Sequence, residues 1–125
     1  MTDIKYLEQE ALPVAPLKIA ALESCSELGK KVNDHIVNFR RDALRDDMNS
    51  PLFSSYKSDN YLIKCECPRF GSGESKGHIR ESIRGTDLFL MVDVCNYSLT
   101  YTVNGHLNHM SPDDHYQDLK RIISA

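Results

Sequence analysis

The chain has 125 residues and a formal net charge of −3, from 15 basic and 18 acidic side chains, with 41% hydrophobic and 26% charged residues. That balance fits one globular domain and argues against disorder. The mild acidity excludes a general electrostatic attraction for nucleic acid or anionic membrane, so any phosphate recognition must be local.

No apolar run reaches the ~20 residues that a membrane span requires. The N-terminus lacks the basic start and apolar stretch of a secretory signal. The expectations are therefore no membrane, no nucleic-acid partner, a cytoplasmic location and reduced thiols at Cys25, Cys65, Cys67 and Cys95.

Residues 1–16 read as a tail, because Pro13 and Pro16 discourage regular structure, and residues 17–125 read as the domain. The apolar run Leu17 to Leu22 predicts a buried strand. Glu23 to Ser26 supplies a turn with capping candidates. Leu28, Val32, Ile36 and Phe39 then recur at helical spacing, which predicts a helix over about 25–42 with that stripe facing the core. Residues 45–60 are polar and turn-rich, so they read as a connection.

Asn60 to Cys67 reads as a strand ended by Pro68, and Gly71-Ser72-Gly73 as a tight turn, with a return strand over Lys76 to Glu81. Arg84 to Asp87 is a further turn. Leu88 to Val94 is the most apolar run and predicts the central strand of a covered, mostly parallel sheet. Residues 98–107, with Asn104-Gly105 at their middle, read as a hairpin or as a long loop. Ser111-Pro112-Asp113-Asp114 predicts a helix start, with Leu119, Ile122 and Ile123 as its apolar stripe.

The chemistry-bearing segment is Arg69-Phe70-Gly71-Ser72-Gly73-Glu74. Phe70 offers a flat face for stacking, Ser72 a small hydroxyl and Glu74 an acceptor for an exocyclic amine, which together suit a purine. Taken alone, a glycine-rich turn between strands is usually only a turn.

Its context adds a resemblance. The order RFGSGE, then Glu81-Ser82-Ile83-Arg84-Gly85-Thr86-Asp87-Leu88-Phe89, then an apolar strand, resembles the ribose-phosphate pyrophosphokinase family. Members of that family carry Arg-Phe-x-[Asp/Asn]-x-Glu followed by Glu-Ser-[Val/Ile]-Arg-Gly-x-Asp. Ser26-Glu27-Leu28-Gly29 resembles the start of the family's first helix, and Asp114 to Arg121 falls at its next crossover helix. The resemblance covers about 17–125, apart from stretches near 45–60 and 98–110 that look like insertions.

The resemblance implies an α/β fold: an incomplete phosphoribosyltransferase-like domain with a mostly parallel sheet, a β-hairpin flag and flanking helices. It implies transfer of pyrophosphate from ATP to ribose 5-phosphate with Mg2+, in a homo-oligomer whose Arg-Phe loop reaches a neighbouring subunit to hold adenine. By that resemblance Phe70 stacks on adenine while Ser72 and Glu74 bond to its edge; Ser72 departs from the family's Asp or Asn. Ser82 and Arg84 fall where the family has a regulatory phosphate or interface site, although a structural turn with a surface arginine explains them equally well. The family's catalytic loops and Mg2+ ligands have no counterpart in this sequence. The expectation is therefore no catalytic residue here, an inactive chain on its own, and aggregation or obligate association when it is expressed alone. The alternative is a non-catalytic, synthetase-associated regulatory module.

Two rival constellations carry less. His106, His109 and His115 near Asp113 and Asp114 match no standard metal spacing, and the aspartates already serve as helix-start residues. Cys95 after the apolar strand, with His106 or His109 as base, lacks any local signature of a nucleophile. Cys65 and Cys67 form C-x-C without the second pair a metal site needs, and read as packed or half-buried thiols.

Overall fold

The structure is a computed structural model and describes residues 14–43 and 56–125. Most of the expected tail and most of the 45–60 connection lie outside the described residues. The chain order is β1 (Leu17–Ala21), a 3-10 turn (Glu23–Cys25), α1 (Ser26–Ala43), β2 (Cys65–Glu66), β3 (His78–Ile79), β4 (Asp87–Met91), β5 (Thr100–Val103), β6 (His106–His109) and α2 (Pro112–Ser124). This is a small α/β domain, compatible with part of a phosphoribosyltransferase-like fold.

β1 lies at the centre. It pairs in parallel with β4 from Leu17–Asp87 to Ala21–Met91. On its other side Ile19 makes a parallel bridge to Leu62. There the Ile19 amide donates to the Tyr61 carbonyl at 2.8 Å and the Ile63 amide to the Ile19 carbonyl at 2.9 Å. The core gathers around Ile19, Val37 and Tyr61, with Val32, Ile36 and Met91 packed against them. The buried Asn33 side chain is satisfied because its Oδ1 accepts from the Tyr61 amide at 2.7 Å.

Two expectations change. The expected α1 stripe is only half right: Leu28 is 53% and Phe39 63% exposed, while Gly29, Val32, Asn33, Ile36 and Val37 face the sheet. Gly29 sets that face. A Cβ there would stand 2.5 Å from the Ala21 Cβ, so the helix lies against β1 along its glycine side. The apolar run at 88–94 is not the central strand either. It forms β4 beside β1, with Phe89 60% exposed, and no second strand pairs with β4 among the described residues.

The remaining strands form antiparallel hairpins, so the parallel part of the sheet is smaller than expected. β2 pairs with β3, and an Arg69–Ser75 bridge carries that ladder to a tip. β5 and β6 form the hairpin that Asn104-Gly105 suggested, rather than a long loop. Asn104 and Gly105 take φ values of 50° and 81°, as a two-residue turn matching strand twist requires. α2 begins as predicted. Ser111 Oγ accepts from the Asp114 amide at 3.2 Å, and Asp114 Oδ2 accepts from the Ser111 amide at 2.8 Å.

Candidate functional site

The tip at 69–75 is closed by its own backbone. The Phe70 amide donates to the Glu74 carbonyl at 2.8 Å, and the Gly73 amide to the Phe70 carbonyl at 2.9 Å. This brings Phe70, Ser72 and Glu74 onto one short loop. Phe70 is 57% exposed, so its ring is available for stacking, and Ser72 and Glu74 are exposed too. Glu74 meets Arg121 of α2 at 3.9 Å, a long and solvated pair.

Beneath the tip lies a side-chain cluster that the sequence did not reveal. Arg69 Nη1 donates to the Gly73 carbonyl at 2.7 Å. Its Nη2 stands 3.6 Å from Asp118 Oδ1, with the two side chains only 14% and 12% exposed. Its guanidinium carbon lies 4.0 Å from the centre of the Tyr101 ring. Asp118 Oδ1 also accepts from Ser75 Oγ at 2.5 Å. Gly77 lets the hairpin touch α2, since a Cβ there would overlap the Arg121 carbonyl. Only the adjacency of Arg69 to the Phe70 motif could have pointed to it; nothing in the spacing linked it to Tyr101 or Asp118.

A groove of about 720 Å³ runs between the tip and the β5–β6 hairpin, lined by Ser72, Glu74, Tyr101, Asn108 and Arg121 among others. Phe70 is not part of its wall. The hairpin stem carries its own ionic cluster. Glu66 accepts from His78 Nδ1 at 3.0 Å and from Arg80 Nη2 at 2.9 and 3.0 Å. These hydrogen bonds, His78 first and then Arg80, hold the Glu66 carboxyl below its ordinary value.

Ser82 and Arg84 are not brought to this tip. They lie in the turn before β4, exposed, with the Arg84 amide facing Ser82 Oγ at 3.5 Å. Thr86 closes that turn through its hydroxyl, which donates to the Ile83 carbonyl at 2.7 Å.

The rival constellations disperse. His115 is buried, with Nε2 donating to the Asn96 carbonyl at 2.5 Å. His109 stacks on Tyr97 at 4.5 Å and donates to its carbonyl at 3.0 Å. Among the described residues, no group of three or more His, Cys, Asp or Glu is placed to hold a metal ion. Cys65 and Cys67 line a cavity of about 550 Å³ with Tyr101, His115 and Asp118. Burial first, then the Asp118 charge, pushes the Cys67 thiol up to about 12, and burial also raises Cys65. Such thiols are poor nucleophiles near neutral pH. Cys95 is exposed, unlike the other three. No helix of the described residues is long and apolar enough to cross a membrane.

A search of curated proteins and a search of solved structures each return no significant match. A scan against family models matches residues 17–125 to the N-terminal domain of ribose phosphate pyrophosphokinase. That span includes β1, both helices, the Arg69–Glu74 tip and the Ser82–Arg84 turn, and the chain therefore belongs to the ribose phosphate pyrophosphokinase family through its N-terminal domain.

Proposed function

We propose that this chain is the N-terminal part of a ribose-phosphate diphosphokinase, which transfers pyrophosphate from ATP to ribose 5-phosphate for nucleotide biosynthesis. Its share of the enzyme is an adenine-holding loop. Phe70 stacks on the purine, the Glu74 carboxylate accepts from the exocyclic amine, and the Ser72 hydroxyl bonds to the ring edge. The observation that carries this reading is Phe70, exposed at the tip of a hairpin whose backbone is closed and whose base is pinned by Arg69. Stacking needs an accessible ring that does not collapse onto its own chain.

The same reading assigns Ser82 and Arg84 to a phosphate-binding or subunit-interface role, with the exposed Arg84 fork as donor. It also makes the active form a homo-oligomer in which the loop serves a neighbouring subunit. Family membership suggests Mg2+ in the full enzyme. None of the described groupings here is suited to a metal, so no ligand is assigned to it and no step is routed through it. Pyrophosphoryl transfer requires cations placed around the phosphates, and the loop's Phe70, Ser72 and Glu74 supply none. On this reading the loop contributes nucleotide binding and not the transfer step.

An ATP titration of the wild-type and Phe70→Ala chains tests the reading. Loss of base stacking is expected to weaken binding about tenfold or more, with the melting temperature unchanged because Phe70 is exposed. Equal ATP affinity in the two chains would sink the adenine assignment. Co-purification with an intact synthetase under that result would favour a non-catalytic associated module.

A further inference from the structure

The stretch at 98–110 is where the sequence looks inserted relative to the family it resembles, and it forms the β5–β6 hairpin. We propose that this hairpin braces the 69–75 loop, with Tyr101 and Arg69 as positioning residues. The proposal rests on the adenine reading only for its benefit to nucleotide binding; the brace itself is a statement about the loop.

The geometry is that of one planar cation held on three sides. Tyr101 presents its ring face at 4.0 Å to the guanidinium carbon. Asp118 from α2 lies along one edge at 3.6 Å. The other edge holds the tip, through Nη1 to the Gly73 carbonyl at 2.7 Å. Nη2 is buried yet makes no hydrogen bond, so the ring face and the Gly73 bond are what fix the plane. A lysine has one point charge and could not stack and reach the carbonyl together. β5 also abuts the tip directly, because Val103 Cγ2 stands 3.5 Å from where a Cβ on Gly73 would be. The Phe70 amide and carbonyl both belong to the backbone ring that Arg69 anchors at Gly73. The backbone that carries Phe70 is thus braced by a hairpin distant in sequence.

The test compares Tyr101→Leu and Tyr101→Phe in the whole chain by amide hydrogen exchange. Tyr101→Leu is expected to speed exchange at the Phe70 and Gly73 amides about threefold to tenfold, the worth of one cation–π contact. The Ile19 and Leu22 amides, bonded within the central sheet, should keep their rates. Tyr101→Phe should match the wild type, because the ring face survives. Arg69→Lys, which keeps charge but loses the fork, should reproduce the Leu effect. Unchanged exchange at Phe70 and Gly73 in Tyr101→Leu overturns the brace. So does equal acceleration at Ile19 and Leu22, which would mark Tyr101 as a general stability residue. ATP affinity measured alongside separates the two readings. A several-fold loss in Tyr101→Leu, rescued in Tyr101→Phe, supports both; a responsive loop in a wild-type chain that binds no ATP leaves the brace standing and removes the adenine assignment.

Discussion

The tip at 69–75 and the turn at 82–86 are both short and glycine-containing, with exposed residues at their apices, and both lie in the segment that resembles the family motif. They are held in different ways. The 82–86 turn is closed by residues within it, through Thr86 to the Ile83 carbonyl and the Arg84 amide to Ser82. The tip is closed locally as well, through the Phe70 and Gly73 amides and the Arg69 side chain, but it also touches Tyr101, Asp118 and Arg121, which come from β5 and α2. A locally closed turn keeps its shape when distant parts change. A loop pinned from afar has its direction fixed by tertiary packing, which suits a group that must meet a ligand at a set angle. It also makes the tip vulnerable to changes that never touch it.

The largest expected effect comes from separating the hairpin from α2. In Gly77→Ala the new methyl must displace the Arg121 backbone, not a flexible side chain. A destabilisation of about 3 kcal/mol is expected in denaturant unfolding. The Tyr97–His109 stack should persist, because neither ring is among the groups that the new methyl meets. A cost within experimental error would mean the hairpin can slide along α2, and the contrast between the two loops would weaken.

A smaller effect is expected at the local turn. Thr86→Val removes the hydroxyl bond to Ile83 and keeps the shape, at a cost of about 1 kcal/mol. The tip should not respond; accelerated exchange at the Phe70 amide in this variant would show that the two loops are coupled.

The smallest effect is a pH dependence in the hairpin stem. The Glu66 carboxyl is held below its ordinary 4.5 by His78 and Arg80. A depressed folded value means the interaction stabilises fully above about 4.5 and is lost as pH falls through the folded value. The group is exposed, so the effect on melting should be slight. Its carboxyl titration by NMR should have a midpoint below 4.5 that moves back up in His78→Ala. A midpoint at or above 4.5 would show that the stem pair does not form.

Much of the chain's local order was legible. The Leu17–Leu22 run gave a strand, the Ser111 cap placed the start of α2, and Asn104-Gly105 marked a two-residue turn. Each depends on neighbours in sequence. The helical period of α1 was legible as well, but not its inward face. Leu28 and Phe39 keep the spacing of a stripe, and only the close contact of Gly29 with Ala21 shows which side packs. Hydrophobicity also misplaced β4, since an apolar run does not say whether its strand has one neighbour or two. Of the candidate site, Phe70, Ser72 and Glu74 were readable from motif order, and their gathering on one tip follows from the hairpin.

Sequence alone therefore determined the first strand, both helices, the turn chemistry and the family-like motif, because dihedral preference, capping and periodicity act over a few residues, while the strands expected over 60–67 and 76–81 shrink to Cys65–Glu66 and His78–Ile79. Tertiary structure alone decided which helix face is buried, that β1 rather than β4 is central, and that Arg69 rests between Tyr101, Asp118 and Gly73. Those outcomes depend on pairs far apart along the chain. Such pairs form only when packing brings their side chains within a few ångströms, and no local spacing records that event.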